Sequence, residues 1–180
     1  ILKIIDRSCY GWSEFVAHQP CSNRGEVERF YQRLGGYLAA FYVMRATDMH
    51  FENLLAAAEF PVPVDLETLF HDDAVLAEKD DPAIKAFRLS VMQVLLLPQR
   101  IYGSETDEGV DMSGFGARSG QQFPLGTTLS WERAGTDEMR LARNKTVPMM
   151  VARNRPKLEG QEVAAGEYVE AFLRGFRWVY

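Results

Sequence analysis

The chain is organised around the stretch Thr47-Asp48-Met49-His50-Phe51-Glu52-Asn53, which Val64-Asp65-Leu66-Glu67 follows at short range. Reduced to its polar residues, the pattern is Asp-x-His-x-x-Asn, and then an Asp after a short apolar run. Apolar residues flank the first stretch on both sides, at Phe41-Tyr42-Val43 and at Leu54-Leu55. A polar loop set between buried elements is a common place for functional residues.

The residue types and their order match the needs of phosphoryl transfer from ATP. That reaction uses a carboxylate that orients the acceptor, an amide or carboxylate for the metal, and a further carboxylate on Mg²⁺. Asp48, Asn53 and Asp65 have these types in this order. Mg²⁺ prefers oxygen ligands, so an Asn with an Asp suits it better than His or Cys. Structural interpretations stay open: a helix cap for Asp48, a turn for Asn53, a hydrogen-bonded loop position for His50 and a strand end for Asp65.

Six segments spread over most of the chain resemble the dehydratase domain of class II lanthipeptide synthetases. These segments are Tyr10–Val16, Arg33–Gly35, Thr47–Asn53, Val64–Phe70, Leu96–Pro98 and Gly135–Met139. The similarity therefore extends well beyond one short motif.

The resemblance implies an enzyme that phosphorylates Ser and Thr of a ribosomally made precursor peptide with ATP and Mg²⁺. It then eliminates the phosphate to leave dehydroalanine or dehydrobutyrine. Asp48 is expected to orient or deprotonate the acceptor hydroxyl, and His50 to serve in either half-reaction. Asn53 and Asp65 are expected to bind the Mg²⁺ that bridges the ATP phosphates. The implied fold class is α+β, the C-terminal-lobe portion of a lipid-kinase-like fold, mostly helical with short β-hairpins.

Some residues and domains of the family are expected outside residues 1–180. Lys3 lies too close to the catalytic loop to serve the ATP phosphates, and kinase-like enzymes carry that lysine on an N-terminal lobe. The Arg and Thr for phosphate elimination are expected beyond Tyr180, and the zinc cyclase domain elsewhere. We expect residues 1–180 to be one partial domain without an internal boundary, cut from a larger protein and inactive alone.

Two other function classes stay open. One is a different ATP-dependent phosphotransferase, of the small-molecule kinase type, with the same loop; the flanking motifs argue against it. The other is a non-catalytic scaffold that keeps the fold. Intact Asp48, Asn53 and Asp65 argue against this second class, because a dead site has no physical need for all three.

The length and composition limit the kinds of protein that this chain can be. The 180 residues suffice for one well-cored domain, and 47% hydrophobic with 25% charged residues is ordinary for a globular protein. A net charge of −5 gives no basic footprint for nucleic acid. No apolar run approaches the roughly twenty residues of a membrane span, and the N-terminus does not look like a signal peptide. Cys9 and Cys21 have no zinc-site spacing, and the sparse cysteine favours a cytoplasmic location.

The clearest predicted element is a helix over Glu26–Ala46, where apolar residues recur every three or four positions. Gly35-Gly36 lies inside it and favours close approach of another backbone over a kink. Asn53–Ala58 and Pro61–Asp65 are predicted as a hairpin whose prolines confine the second strand to an edge.

The other predicted elements are less sharply marked. They are a strand over 1–6, a buried segment over 10–16, a buried helix or helix-strand over 83–97, a mobile surface loop over 99–127 with a substrate-contact role as the alternative, a hairpin of 128–132 with 139–144, and a helix over 163–180. The last quarter of the chain is locally basic. It could attract a phosphate or an acidic peptide, or it is plain surface. Its residues are Arg140, Arg143, Lys145, Arg153, Arg155 and Lys157.

Overall fold

The computed structural model describes residues 3–71, 81–102, 109–121, 128–144 and 151–180. Within these ranges three α-helices are present: α1 (Arg24–Val43), α2 (Pro82–Arg88) and α3 (Val169–Val179). Short 3-10 helices span Phe51–Asn53, Val91–Val94 and Ala165–Tyr168. None of the helices in the described ranges has the length and apolar character needed to cross a membrane.

Ten short strands pair two by two into five antiparallel sheets within the described ranges. The strands are β1 (Ile4–Asp6), β2 (Gly11–Ser13), β3 (Leu54–Ala57), β4 (Phe60–Pro63), β5 (Arg100–Ile101), β6 (Val110–Asp111), β7 (Thr128–Glu132), β8 (Arg140–Asn144), β9 (Lys157–Leu158) and β10 (Gln161–Glu162). Helices and small hairpins thus occur together, and the kinase-like arrangement of the fold stays a prediction.

Helix α1 is the centre of the core. Asn23 caps its start by accepting a hydrogen bond from the Glu26 main-chain N–H at 3.0 Å, and Glu26 reaches back to the Ser22 N–H at 2.7 Å. This reciprocal arrangement satisfies two main-chain donors at the helix start. The buried face carries Val27, Phe30, Tyr31, Leu34, Leu38 and Phe41. The predicted helix is therefore confirmed, and it ends at Val43, three residues earlier than expected.

Helix α3 packs directly across α1 at the predicted glycine pair. A Cβ atom at Gly35 would collide with the carbonyl oxygen of Phe172, and one at Gly175 with that of Gln32. Because glycine has no Cβ, the two backbones approach more closely than other side chains allow. The preference for close packing over a kink at Gly35-Gly36 is confirmed.

A buried tyrosine joins α1 to the segment that precedes α3. The Tyr31 hydroxyl donates to the carbonyl oxygen of Val163 at 2.7 Å, and its ring stacks on Tyr168 with the centroids 5.4 Å apart. Burial raises the pKa of Tyr31, so the hydroxyl keeps its proton and remains a donor. The predicted C-terminal helix is confirmed, with Ala165–Tyr168 forming a 3-10 turn at its start.

The hairpin β3–β4 is present where the sequence predicted it, and its turn is attached to α1. Arg29 and Arg33 both bind the Glu59 carboxylate, and the Arg33 guanidinium lies 4.2 Å from the centre of the Phe60 ring. The hydrogen bonds from the two arginines lower the pKa of Glu59. This contact fixes the hairpin that follows the Asp48–Asn53 loop against the long helix.

The segment over residues 10–16 is exposed, so the expectation that it is buried is wrong. Tyr10, Trp12 and Phe15 are 60%, 68% and 86% exposed. Strands β1 and β2 pair only with each other among the described residues. A lone two-stranded hairpin offers its side chains no second layer to pack against.

The prediction of a buried helix or helix-strand over 83–97 is also wrong. Pro82 starts α2 as predicted, but the helix ends at Arg88 and buries no residue. Ser90 then caps the separate 3-10 helix Val91–Val94 by accepting from the Met92 N–H at 3.2 Å. The apolar residues that reach the core are Val94 and Leu96.

Residues 99–127 are not simply a surface loop. Arg100–Ile101 pairs with Val110–Asp111, and Ser113 and Ala117 are completely buried. This expectation is therefore wrong for 110–117, which pack against the Asp48–Asn53 loop.

The helix crossing predicts a large effect of a single methyl group. Gly175→Ala should lower the free energy of unfolding by about 1–3 kcal/mol, the usual effect of overpacking a tight contact. Gly166→Ala is the matched control, because nothing lies within 4 Å of a Cβ atom there. Urea unfolding of both variants tests this, and equal midpoints would contradict the close crossing.

Candidate functional site

The two carboxylates predicted as site residues share an unusual backbone conformation. Asp48 has φ +65° and Asp65 has φ +54°, both in the left-handed region. Residues other than glycine adopt this conformation at an energetic cost, which Asp and Asn bear better than most. Such positions cluster at functional sites, and the observation applies to both carboxylates of the predicted site.

The side chains of Asp48, His50 and Asn53 lie together. His50 Nε2 is 3.7 Å from Asp48 Oδ1 and 3.4 Å from Asn53 Nδ2. The other ring nitrogen, Nδ1, accepts a hydrogen bond from the Glu52 N–H at 3.2 Å. That bond fixes the ring orientation, so Nε2 faces the carboxylate and the amide.

Asn53 is nearly buried and fixed by its own loop. Its Nδ2 donates to the Asp48 carbonyl oxygen at 3.0 Å, and its main-chain oxygen accepts from the Val64 N–H at 3.0 Å. Val64 precedes Asp65, so this bond places the main chain of Asp65 beside the loop. The Asp65 side chain is exposed. Three of the four predicted residues are thus brought together by side-chain contacts, whereas Asp65 follows Val64, whose N–H bonds to the loop.

Two oxygen donors of the predicted site have no hydrogen-bond partner among the described residues. With Nδ2 held, Asn53 Oδ1 accepts no hydrogen bond from any residue that the structure describes, and neither does the Asp65 carboxylate. No group of three His, Cys, Asp or Glu that could hold a metal exists in the described ranges. One amide and one carboxylate remain a suitable pair, because Mg²⁺ keeps several waters and takes phosphate oxygens as further ligands.

Sequence reasoning missed the segment Asp111–Ala117, which supports the loop from the other side. The Phe51 N–H donates to the Met112 carbonyl oxygen at 3.1 Å, and the Gly114 N–H donates to Met49 at 3.1 Å. These bonds cross between the two segments like those of a short antiparallel pair. The catalytic-loop candidates are therefore held by residues more than sixty positions away.

Asp111 organises that supporting segment. Its Oδ1 accepts from the Gln99 N–H at 3.3 Å, from the Ser113 N–H at 2.9 Å and from the Ser113 hydroxyl at 2.7 Å. The Ser113 hydroxyl oxygen in turn accepts from the Gly116 N–H at 2.8 Å. The sequence signal was an Asp two residues before a Ser, a pattern typical of an Asx turn.

Two residues of the C-terminal quarter complete the support. Buried Asn154 donates from Nδ2 to the carbonyl oxygens of Gly114 and Ala117, at 2.8 and 3.2 Å. Arg155 donates to the Gly116 carbonyl oxygen at 2.5 Å. Arg155 was predicted as part of a basic patch, yet here its guanidinium serves as an internal hydrogen-bond donor.

The rest of the predicted basic quarter divides into several groups. Arg140 pairs with Glu132 at 2.9 Å across the β7–β8 hairpin. Arg153 is exposed and makes no ion pair with the described residues. Lys145 lies outside the described residues. Among the described basic residues, Arg140 and Arg155 are thus engaged by other parts of the chain.

Comparison with known proteins gives two matches. A family model described as "Domain of unknown function (DUF4135)" matches residues 1–180. The chain is also 35% identical over 71 residues to the lacticin 481/lactococcin biosynthesis protein LcnDR2 of Lactococcus lactis subsp. lactis. That match covers 39% of this chain and 8% of the relative, so the chain corresponds to a small part of the relative's length.

The Asp111 turn predicts a remote effect on the loop. Asp111→Ala should destabilise the protein by about 1–3 kcal/mol, because Gln99 N–H and Ser113 N–H lose their acceptor in a partly buried setting. Amide hydrogen exchange at Phe51 and Gly114 should accelerate. Asp137→Ala, an exposed turn carboxylate, is the control. Unchanged exchange at Phe51 in Asp111→Ala would show that the turn does not support the loop.

Proposed function

The chain belongs to the DUF4135 family and is related to the lanthipeptide synthetases, and on that premise we propose that it forms part of a peptide dehydratase. In this proposal the enzyme phosphorylates Ser and Thr of a precursor peptide with ATP and Mg²⁺, and then eliminates the phosphate. The observation that carries it is the grouping of Asp48, His50 and Asn53, with Asp65 tethered beside them.

Asp48 is the proposed base for the acceptor hydroxyl. Its side chain is half exposed, so a peptide hydroxyl can reach it. A carboxylate at this place orients the hydroxyl and accepts its proton as the oxygen attacks phosphorus. His50 lies against the same carboxylate, where its Nε2 is placed to exchange a proton with Asp48 or with the substrate.

Asn53 and Asp65 are the proposed magnesium ligands, through Oδ1 and the carboxylate. When bound, Mg²⁺ neutralises charge on the ATP phosphates. The hydrogen bond from Asn53 Nδ2 to the Asp48 carbonyl oxygen keeps Oδ1 turned away from that carbonyl. The same bond links the proposed metal ligand to the proposed base, so the spacing between their main chains is fixed by the loop itself.

The substrate class is proposed from the relative. Its name assigns that protein to lacticin 481/lactococcin biosynthesis, and we carry over to this chain a ribosomally made precursor peptide as substrate and the cytoplasm as location. The order of a long helix, a polar loop and a short hairpin supports the further proposal of a kinase-like C-terminal lobe.

Asp48→Asn should decrease peptide phosphorylation by about 10²–10⁴-fold, the usual contribution of a positioned general base. Asparagine keeps the shape and tolerates the left-handed backbone, so folding should be preserved. The assay uses the full-length protein with ATP, Mg²⁺ and a Ser/Thr-rich peptide, read by mass spectrometry. Glu67→Gln, an exposed carboxylate near the hairpin, is the control. Full activity of Asp48→Asn would exclude its role as base.

Asp65→Asn should raise the Mg²⁺ concentration needed for half-maximal activity, because one charged ligand becomes neutral. Circular dichroism should show an unchanged fold. A Mg²⁺ dependence identical to that of the parent protein would remove Asp65 from the metal site. Phosphorylation of small hydroxylated compounds in place of the peptide would instead favour a small-molecule kinase.

A further inference from the structure

A cleft of about 450 Å³ opens directly beside the candidate site. Phe51, Glu52, Leu55, Val151 and Arg153 line it. Two of these residues belong to the Asp48–Asn53 loop itself, and the Glu52 N–H is the group that donates to His50 Nδ1. The cleft wall and the ring of His50 are therefore parts of one short turn.

Arg153 stands on a firmly held stretch of backbone. Its carbonyl oxygen accepts from the Ala56 N–H at 2.7 Å, next to Leu55 in β3. Its two neighbours, Ala152 and Asn154, are buried, and the Asn154 amide is bonded to two carbonyl oxygens. The side chain is nevertheless exposed at the cleft. A rigid main chain thus presents a cation next to the proposed reacting groups.

This cation has no ionic partner in the described chain, whereas several other arginines there are paired. Arg29 and Arg33 bind Glu59, Arg140 binds Glu132, and Arg174 binds Glu28. Arg153 makes no such pair with any described residue, and Glu52 on the same cleft makes none either. The charges of Glu52 and Arg153, which line the same largely apolar cleft, are then both available to a ligand.

We propose that this cleft binds the segment of the peptide substrate next to the reacting Ser or Thr. An apolar side chain of that segment packs on Phe51, Leu55 and Val151, and Arg153 selects an acidic side chain beside it. The inference rests on the proposed function, because it places the peptide with its hydroxyl facing Asp48. Arg153 is thereby a specificity-determining residue.

The chemistry of the cleft favours a peptide over a nucleotide phosphate. Three of its five lining residues are apolar, which suits a side chain that leaves water. The Glu52 carboxylate repels a multiply charged phosphate more strongly than a single carboxylate, and the main-chain N–H groups of an extended peptide can donate to it. An arginine guanidinium binds one carboxylate with two parallel hydrogen bonds, so a single acidic residue satisfies it.

The test measures peptide binding without ATP, in the full-length protein, by fluorescence anisotropy. The probes are short synthetic peptides with one serine, a leucine on one side and Glu, Gln or Lys on the other, in both orders. The parent protein should bind the Glu peptide about tenfold more tightly than the Lys peptide, the effect of one charge-assisted hydrogen bond. Arg153→Glu should reverse this preference.

Arg143→Glu is the matched control, since it makes the same charge change on the exposed side of β8. It should leave the order of the three affinities unchanged. Equal relative affinities in Arg153→Glu and the parent protein, or no binding of any peptide by the parent, would overturn the proposal. Because this assay measures binding and not phosphorylation, a retained preference in Arg153→Glu contradicts the cleft alone. The proposed function is tested separately by the phosphorylation assay of Asp48→Asn.

Discussion

The Asp48–Asn53 loop carries two side chains, Met49 and Phe51, that are almost completely buried. An irregular loop anchored in this way must find hydrogen-bond partners for its main chain inside the protein. It finds them in Val94, which accepts from the Met49 N–H at 2.9 Å, and in Met112, which accepts from Phe51. The main-chain N–H groups of this loop need buried acceptors, and this need explains why the stretches around residues 94 and 112 lie in the core.

The hydrogen bonds that the loop needs also connect distant parts of the chain to one another. Gly114 donates both to Met49 and to Leu95, at 3.1 and 3.2 Å, and so ties the two stretches to each other as well as to the loop. Asn154 then binds the carbonyl oxygen of Gly114 itself. A change at any of these contacts is expected to reach the side chains of Asp48 and His50 through the main chain, without any direct contact.

The elements that could be predicted from the sequence are those with a local cause. Apolar spacing and the glycine pair at 35–36 identify α1 and its crossing. The burial of 110–117 has no local cause, because these residues become buried only by pairing with a loop sixty positions earlier. Glycine and serine in that segment are typical of a surface loop, and that composition misled the prediction. The grouping of Asp48, His50 and Asn53 was predicted from spacing and type, whereas their supporting residues, Asp111 and Asn154, depend on the tertiary fold.

Glu59, Asp65 and Arg153 differ in whether another charge of the described chain pairs with them. Glu59 is already shared by two arginines, and its lowered pKa follows from their hydrogen bonds. That carboxylate stabilises the hairpin and is not available to a ligand. Asp65 and Arg153, by contrast, are exposed on backbones that neighbouring hydrogen bonds hold in place. An ordered charge without a partner in the described structure retains its full interaction energy for a ligand, and it has less main-chain entropy left to lose on binding. This difference in pairing, more than residue type, is the physical reason to look for ligands at Asp65 and Arg153 and not at Glu59.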